Sequence, residues 1–414
     1  MARIWLLLSV WASSFSSYAD WKTYTPKELM DMEVHLVSMG PSHDLFTSGG
    51  HTLLRIVDPA ANSDLMYNWG AFSEEDPLFL WSFMRGTSQY YLIVEPTVPT
   101  FQNDVTAYPR DVFQDRVNLT LLQKKKLLQE IQTWIEHPAY QYHIWSKNCS
   151  TLVSELLDHA TNGGISRQLQ GKKATVTYRE LWMTYFGSWP ILAVAADFLL
   201  NGKADPALTQ WDLRFTPLLF RQHLQSLFAI EDSGAISTIS TTTPLLSNTI
   251  QLYKHPVPYG VGERGYQVLL VFFTCLALLG LAAKKLRQHR LAYASIAIAQ
   301  TLWGLFSFAV STAILAVSLI SSREYFYFSA VLWVFWPLDL FFIGGKGSEK
   351  RQQIQSYLVR LHLIGWVGLG ICYATGLVQQ SLIHIGLYMI PISALIFLQR
   401  AYIRSDLKSS PRLR

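Results

Sequence analysis

Cysteine is scarce: the chain has three in 414 residues, Cys149, Cys275 and Cys372. The last two lie inside long apolar stretches, so a disulfide framework is excluded as the organising device. Familiar signatures are missing too. There is no HExxH, no CxxC pair, no acidic cluster at ligand spacing and no GxSxG. No metal and no organic cofactor is expected. Charge is sparse, with Asp, Glu, Lys and Arg at 15% and a formal net charge of +5. The basic residues gather between apolar stretches, so the excess is no nucleic-acid signal. No internal repeat is evident.

What is present divides the chain. Residues 1–19 read as a secretory signal: Arg3, an apolar run from Ile4 to Ala12, and a small-residue end at Ser17-Tyr18-Ala19. Residues 20–230 have the mixed composition of a globular domain, here an exported one. Residues 231–265 begin rich in Ser and Thr and read as a linker. Residues 266–400 are nearly all apolar, and 401–414 form a basic tail. Five spanning helices are predicted, at roughly 266–283, 295–320, 326–343, 358–378 and 382–400. The second is long and has to tilt or extend past the bilayer core. The breaks after the first, third and fifth carry Lys284 and Arg290, Lys346 and Arg351, and Arg404 and Arg412. Those breaks are therefore assigned to the cytoplasm. This agrees with an exported N-terminal domain and a cytoplasmic C-terminus. Asp339, within the third segment, is placed near its cytoplasmic end, reaching water or a basic neighbour.

Within the exported domain, alternation predicts strands at 32–39, 51–58, 65–69, 89–94 and 112–119. Helical spacing predicts helices at 77–85, 120–136, 178–187, 189–200 and 217–230. Lys124 to Lys126 fall on the solvated side of their helix, and Glu74-Glu75-Asp76 read as a solvated loop. The aromatic and apolar stretch 178–200 is a lid, a lipid-facing surface or core.

The central stretch is Asn148-Cys149-Ser150-Thr151, followed by Leu152, Val153, Leu156 and Leu157 at helical spacing. Cys149 thus belongs at or near a helix N-terminus, where unpaired N–H groups favour a thiolate. The alternative is a buried cysteine packing as a small hydrophobe. A thiolate nucleophile needs a base and an orienting group. The domain offers His35, His43, His51, His137, His143, His159 and His223. His51 starts a strand after Gly49-Gly50, where its ring can face a cleft, and Asn68 ends the neighbouring strand. His143 is the rival base. His159 lies too far along the cysteine helix.

The order of a strand-start His, a polar residue on the next strand and Asn-Cys at a helix start resembles the circularly permuted papain-like fold. That group includes the NlpC-type amidases and the lecithin:retinol acyltransferase-like enzymes. More narrowly, Gly50-His51-Thr52-Leu53-Leu54-Arg55, Tyr67-Asn68-Trp69-Gly70, Phe83-Met84-Arg85-Gly86 and Asn148-Cys149-Ser150-Thr151 resemble the Lnb-type lipoprotein N-acyltransferases. The motifs cover roughly residues 31–205. The family more often has Phe after the Asn and Thr after the Gly, conservative departures here. The resemblance implies an exported cysteine domain joined to a C-terminal membrane domain, which with the pattern above gives an α+β exported domain followed by an all-α membrane domain of five helices. It implies Cys149 as nucleophile and His51 as base. Asn68 as orienter rests on spacing in the broader fold. Arg85, Tyr67, Asn148 and Ser150 are candidates for substrate contact. The implied partners are a phospholipid acyl donor, a diacylated lipoprotein acceptor and the lipid bilayer of a bacterial inner membrane. The alternatives are a cysteine hydrolase of lipids or of peptidoglycan peptides, and a silent membrane scaffold.

Overall fold

The computed structural model describes residues 24–73, 77–233, 236–255, 264–286, 288–343 and 348–409. The expected signal sequence, the acidic run at 74–76 and the end of the basic tail lie outside these residues. The described chain falls into two compact units. Of the described residues, one comprises those within 24–79, 87–175 and 208–255 and the other those within 80–86, 176–207 and 264–409.

In chain order the elements begin with α1 (Pro26–Asp31), β1 (Glu33–Met39), β2 (His51–Asp58), β3 (Ser63–Ala71), α2 (Phe79–Arg85) and β4 (Gln89–Pro96). There follow α3 (Thr97–Ala107), β5 (Val112–Val117), α4 (Leu121–Glu136), β6 (Ala139–Gln141), α5 (Cys149–Ala160) and α6 (Gly164–Leu169). Next come α7 (Tyr178–Tyr185), α8 (Pro190–Leu199), α9 (Pro217–Gln225), β7 (Phe228–Ser233), β8 (Ile236–Pro244) and β9 (Leu246–Tyr253). The last helices are α10 (Arg264–Lys285), α11 (His289–Ile320), α12 (Glu349–Ala374) and α13 (Ile390–Ser409).

The first unit is α+β. Seven strands form an antiparallel sheet in the order β6-β4-β3-β2-β1-β5-β9. Valine, leucine and methionine bury the central strands on both faces, as in β1, where only Glu33 is partly open. On one face Val37, Met39, Leu53, Met66 and Val112 pack with Phe101 and Val105 of α3. Helix α5 packs on β2, on β3 and against α4. Arg55 straps the sheet, with a bidentate ion pair to Asp64 at 2.7 and 2.8 Å and a bond to Gln114 at 2.7 Å.

Three expectations change here. Residues 231–233, 236–244 and 246–250 are strand rather than linker: β7 pairs antiparallel with β8, and β9 joins the main sheet beside β5. Ile236, Thr238, Ile239, Thr241 to Thr243, Thr249 and Ile250 are β-branched, and β-branching suits a pleated surface as well as hydroxyls suit a loop. Helix α9 correspondingly ends at Gln225. Lys124 is buried, not solvated, and its ammonium donates to the carbonyls of Leu29 and Met32 at 2.8 and 2.6 Å, closing the C-terminus of α1. The globular segment is also divided, because residues 80–86 and 176–207 cluster with the helical unit.

The second unit is helical, and among the described residues three helices are long and apolar enough to cross a membrane: Gly265–Lys285, Arg290–Ile320 and Glu349–Ala374. The second, α11, has 32 residues, a length of about 48 Å. The third predicted helix is not continuous. Residues 324–342 form three short 3₁₀ turns, Glu324–Phe326, Ala330–Trp333 and Pro337–Phe342. Pro337 removes a donor and holds Trp336 extended, at φ −125° and ψ 142°. The fifth segment starts with a π turn, Ile385–Met389, before α13, and its apolar part, Ile385–Gln399, is short.

Irregular backbone in an apolar setting needs internal partners. Asp339 provides them and is fully buried, not near water. Its carboxylate meets His362 Nε2 at 2.7 Å and accepts from the Ser307 hydroxyl. Ser307 in turn accepts the Trp336 N–H at 3.0 Å. Gln380 accepts the Ala330 N–H at 2.6 Å, and Gln355 donates to the Phe341 carbonyl at 2.5 Å. Asp339→Ala should therefore lower the thermal midpoint of the detergent-solubilised protein, by a loss of about 3 kcal/mol. Ser307→Ala should cost less, about 1 kcal/mol. An unchanged midpoint for Asp339→Ala would contradict this role.

Candidate active site

Helix α5 begins with a complete cap. Asn148 Oδ1 accepts the N–H groups of Ser150 and Thr151 at 3.0 and 2.9 Å, and Thr151 Oγ1 accepts the N–H of Asn148 at 2.7 Å. Asn148 also donates to the carbonyls of Ile144 and Phe215 at 3.0 and 2.9 Å, which fixes the helix start. Cys149 is the first helical residue, and its own N–H has no acceptor within the helix.

The helix start meets a gap in the sheet. Pairing of β2 with β3 runs from Asp58–Ser63 only as far as Leu54–Tyr67, so residues 51–53 and 68–70 separate. A register shift between Asn68 and Ala71 bends β3 further. His51 and Asn68 face one another here, Nε2 to Oδ1 at 2.8 Å. Cys149 is hydrogen-bonded to the same imidazole. With Nε2 engaged by Asn68, Nδ1 is the nitrogen left to serve the sulfur. Gly70 makes room for the ring: a methyl on its Cα would lie 2.4 Å from His51 Cε1 and 3.0 Å from Asn68 Oδ1. Cys149, His51 and Asn68 are each partly exposed, whereas Thr52, Leu53, Tyr67, Trp69 and Ser150 beside them are buried.

Electrostatics favour the charged pair. Burial alone pushes the Cys149 thiol up. The charge of His51, the hydrogen bond from it, and backbone bonds from Thr52 and Ser150 outweigh this, so the thiol sits below its ordinary value. Burial alone pushes His51 down, and the charge and hydrogen bond of Cys149 carry it above its ordinary value instead. The buried Arg110 and its half-buried partner Asp104, at 2.5 Å, also act on His51, the arginine opposing its charge and the carboxylate favouring it.

Two tyrosines complete the surroundings. Burial, followed by the Cys149 charge, pushes the phenols of Tyr90 and Tyr140 well up, so both stay neutral. Tyr140 donates to the Trp69 carbonyl and supports the bent part of β3. Tyr90 stacks on Tyr142 at 4.3 Å and contacts Phe72 at 5.0 Å. Phe72 continues to Phe79 at 4.6 Å, and Phe46 meets both at 5.3 Å. An aromatic wall therefore runs from the cysteine neighbourhood to the exposed Phe46. Sequence spacing did not reveal it, because its members come from separate elements and read individually as core.

The other candidates have different places. His143 Nδ1 accepts the N–H groups of Trp145 and Ser146 at 3.3 and 3.2 Å, within its own turn. His159 pairs with Glu130 at 3.2 Å on the surface, and His35 with Glu33 at 3.0 Å. Tyr67 and Ser150 are buried, and Asn148 is occupied as the cap. Arg85 is exposed and belongs to the helical unit, where its carbonyl accepts the Ser322 N–H at 2.9 Å. Among the described residues, no group of three or more His, Cys, Asp or Glu is placed to hold a metal ion.

The arrangement can ionise a thiol, hold it in contact with an imidazole and fix that imidazole's tautomer. Alkylation of Cys149 should accordingly stay fast below the pH of an ordinary thiol and slow only as falling pH protonates the sulfur. In His51→Gln the titration should move up, because burial then acts without its counter-charge. Gly70→Ala should displace the ring and shift the profile in the same direction. Superimposable pH–rate profiles for the three proteins would contradict the pairing.

Residues 19–183 match the family model described as the Lnb N-terminal periplasmic domain. No curated protein and no solved structure matches the chain.

Proposed function

We propose that this chain, whose residues 19–183 belong to the Lnb periplasmic domain family, is a lipoprotein N-acyltransferase of the bacterial inner membrane. The catalytic domain faces the periplasm and the C-terminus the cytoplasm. The observation that carries the reading is the contact of Cys149 with a His51 whose far nitrogen is held by Asn68.

In the first half-reaction the Cys149 thiolate attacks the acyl carbonyl of a phospholipid ester. The carbonyl oxygen takes up negative charge, and the N–H of Cys149 is a donor suited to hold it, since the cap occupies those of Ser150 and Thr151. The C–O bond breaks, His51 gives its proton to the departing alkoxide, and lysophospholipid leaves. In the second half the amino group of a lipoprotein's diacylglyceryl cysteine attacks the thioester carbonyl. His51 takes the amine proton, the C–S bond breaks and the thiolate returns. Asn68 Oδ1 accepts from Nε2–H throughout, keeping Nδ1 toward the sulfur. A thioester suits the transfer because amines attack it more readily than an oxygen ester. The aromatic wall from Tyr90 to Phe46 supports an acyl substrate, as it offers an apolar path beside the thiol.

The test supplies phospholipid and a synthetic diacylated lipopeptide with a free or acetylated amino terminus. The expected products are N-acylated peptide and lysophospholipid in equal amounts, only with the free terminus. Cys149→Ala should make none, and His51→Gln should lose about 10²–10⁴-fold in rate. Free fatty acid with no acylated peptide would contradict transfer and identify a lipid hydrolase.

A further inference from the structure

Helix α8 lies in the globular part of the sequence yet has the composition of a membrane segment. Its residues, Pro190 to Leu199, are apolar except for Asp197. Asp197 is buried and marks the inward face. It accepts from Arg179 Nη1 at 2.7 Å and from the Tyr266 hydroxyl at 2.5 Å, and it meets His384 Nδ1 at 3.2 Å. Ala193, Val194, Ala196 and Phe198 are buried beside it, with Phe198 against Tyr266, Phe306 and Phe335. A helix pinned this way on its polar residue presents a polar face to solvent if its other side meets water. This one presents Ile191, Leu192 and Ala195, with Trp189 at its head. Ile191 is 85% exposed and Trp189 47%.

The position of α8 says what covers this face. Pro190 lies against the first turn of α10, so closely that a methyl on Gly265 would sit 2.2 Å from the Pro190 carbonyl oxygen. Just along α10 come Val268 and Val271, 64% and 62% exposed on a helix long and apolar enough to span a membrane. The apolar surface of the span thus continues onto α8. At the other end of α8, Asn201 donates to the carbonyls of Glu324 and Tyr327, and the exposed pair Lys203–Glu324, at 3.8 Å, marks where charge resumes.

We propose that the outward face of α8 is inserted in the bilayer leaflet in which α10 begins, with lipid acyl chains covering Trp189, Ile191, Leu192 and Ala195. The helix is an interfacial anchor, apolar where it meets lipid and bounded by an aromatic residue at one end and a charged pair at the other. It stands apart from the acyl-transfer chemistry and holds whether or not the cysteine site transfers an acyl group.

The test uses the full chain, with Cys149→Ala, Cys275→Ser and Cys372→Ser, in vesicles of phosphatidylethanolamine and phosphatidylglycerol. A polarity-sensitive nitrobenzoxadiazole label is attached at Ile191→Cys, at Val268→Cys as lipid reference and at Lys203→Cys as water reference. The label at 191 should match that at 268: blue-shifted emission, quenching by nitroxide-bearing acyl chains and insensitivity to aqueous iodide. Emission and iodide quenching like those at 203 would overturn the proposal. A label reached by neither quencher would also overturn it, in favour of a protein covering. If the labelled chain does not fold, Trp189→Phe serves instead. The fluorescence it removes should be the part that brominated acyl chains quench, and removal of only unquenched fluorescence would overturn the proposal.

Discussion

The contact between a helix-start thiol and a strand-start imidazole sets the demands met by the rest of the first unit. Sulfur and ring come together because two regular elements stop in the right places. Helix α5 starts at Cys149 since Asn148 takes up the next two N–H groups. Strands β2 and β3 part after Leu54 and Tyr67, which leaves Thr52 able to present its backbone to the sulfur while His51 and Asn68 close over Gly70. Burial by itself disfavours a thiolate–imidazolium pair. The pair is stabilised because each charge is the other's partner and the helix start contributes further donors. The same packing that positions the residues therefore sets their protonation.

The helical unit works under a related constraint. Its broken stretch of short 3₁₀ turns at 324–342 is tolerable in an apolar setting only where side chains satisfy the backbone. Ser307, Asp339, Gln355 and Gln380 do so. Asp197 plays a comparable part on α8, joining α7 and α10 through Arg179 and Tyr266. In both places a buried acid organises its neighbours.

Much of this was legible in the sequence. The strand pattern of residues 33–96 and the helix start at Asn148 follow from alternation and capping chemistry, both local. The meeting of His51 with Asn68 was accessible because His51 opens β2 and Asn68 lies toward the far end of the neighbouring antiparallel β3. Features that depend on distant residues were not legible. Lys124 is solvated by the rules of helix amphipathicity, and only the carbonyls of α1, 92 to 95 residues away, make it a buried cap. The stretch 326–343 has the hydropathy of a span, which does not reveal that Pro337 and an internal set of side-chain partners break the helix. The threonine-rich stretch 231–250 is equally compatible with loop and strand, and pairing with β5 decides the matter for β9.

The most direct measurement follows a phospholipid carrying an isotope in one acyl chain through a single turnover without acceptor. Proteolysis and mass spectrometry then locate the label. The account predicts one labelled acyl group on the peptide containing Cys149, released by neutral hydroxylamine as a thioester is. Label on any other residue, or no labelled peptide while lysophospholipid accumulates, would contradict a Cys149 acyl-enzyme.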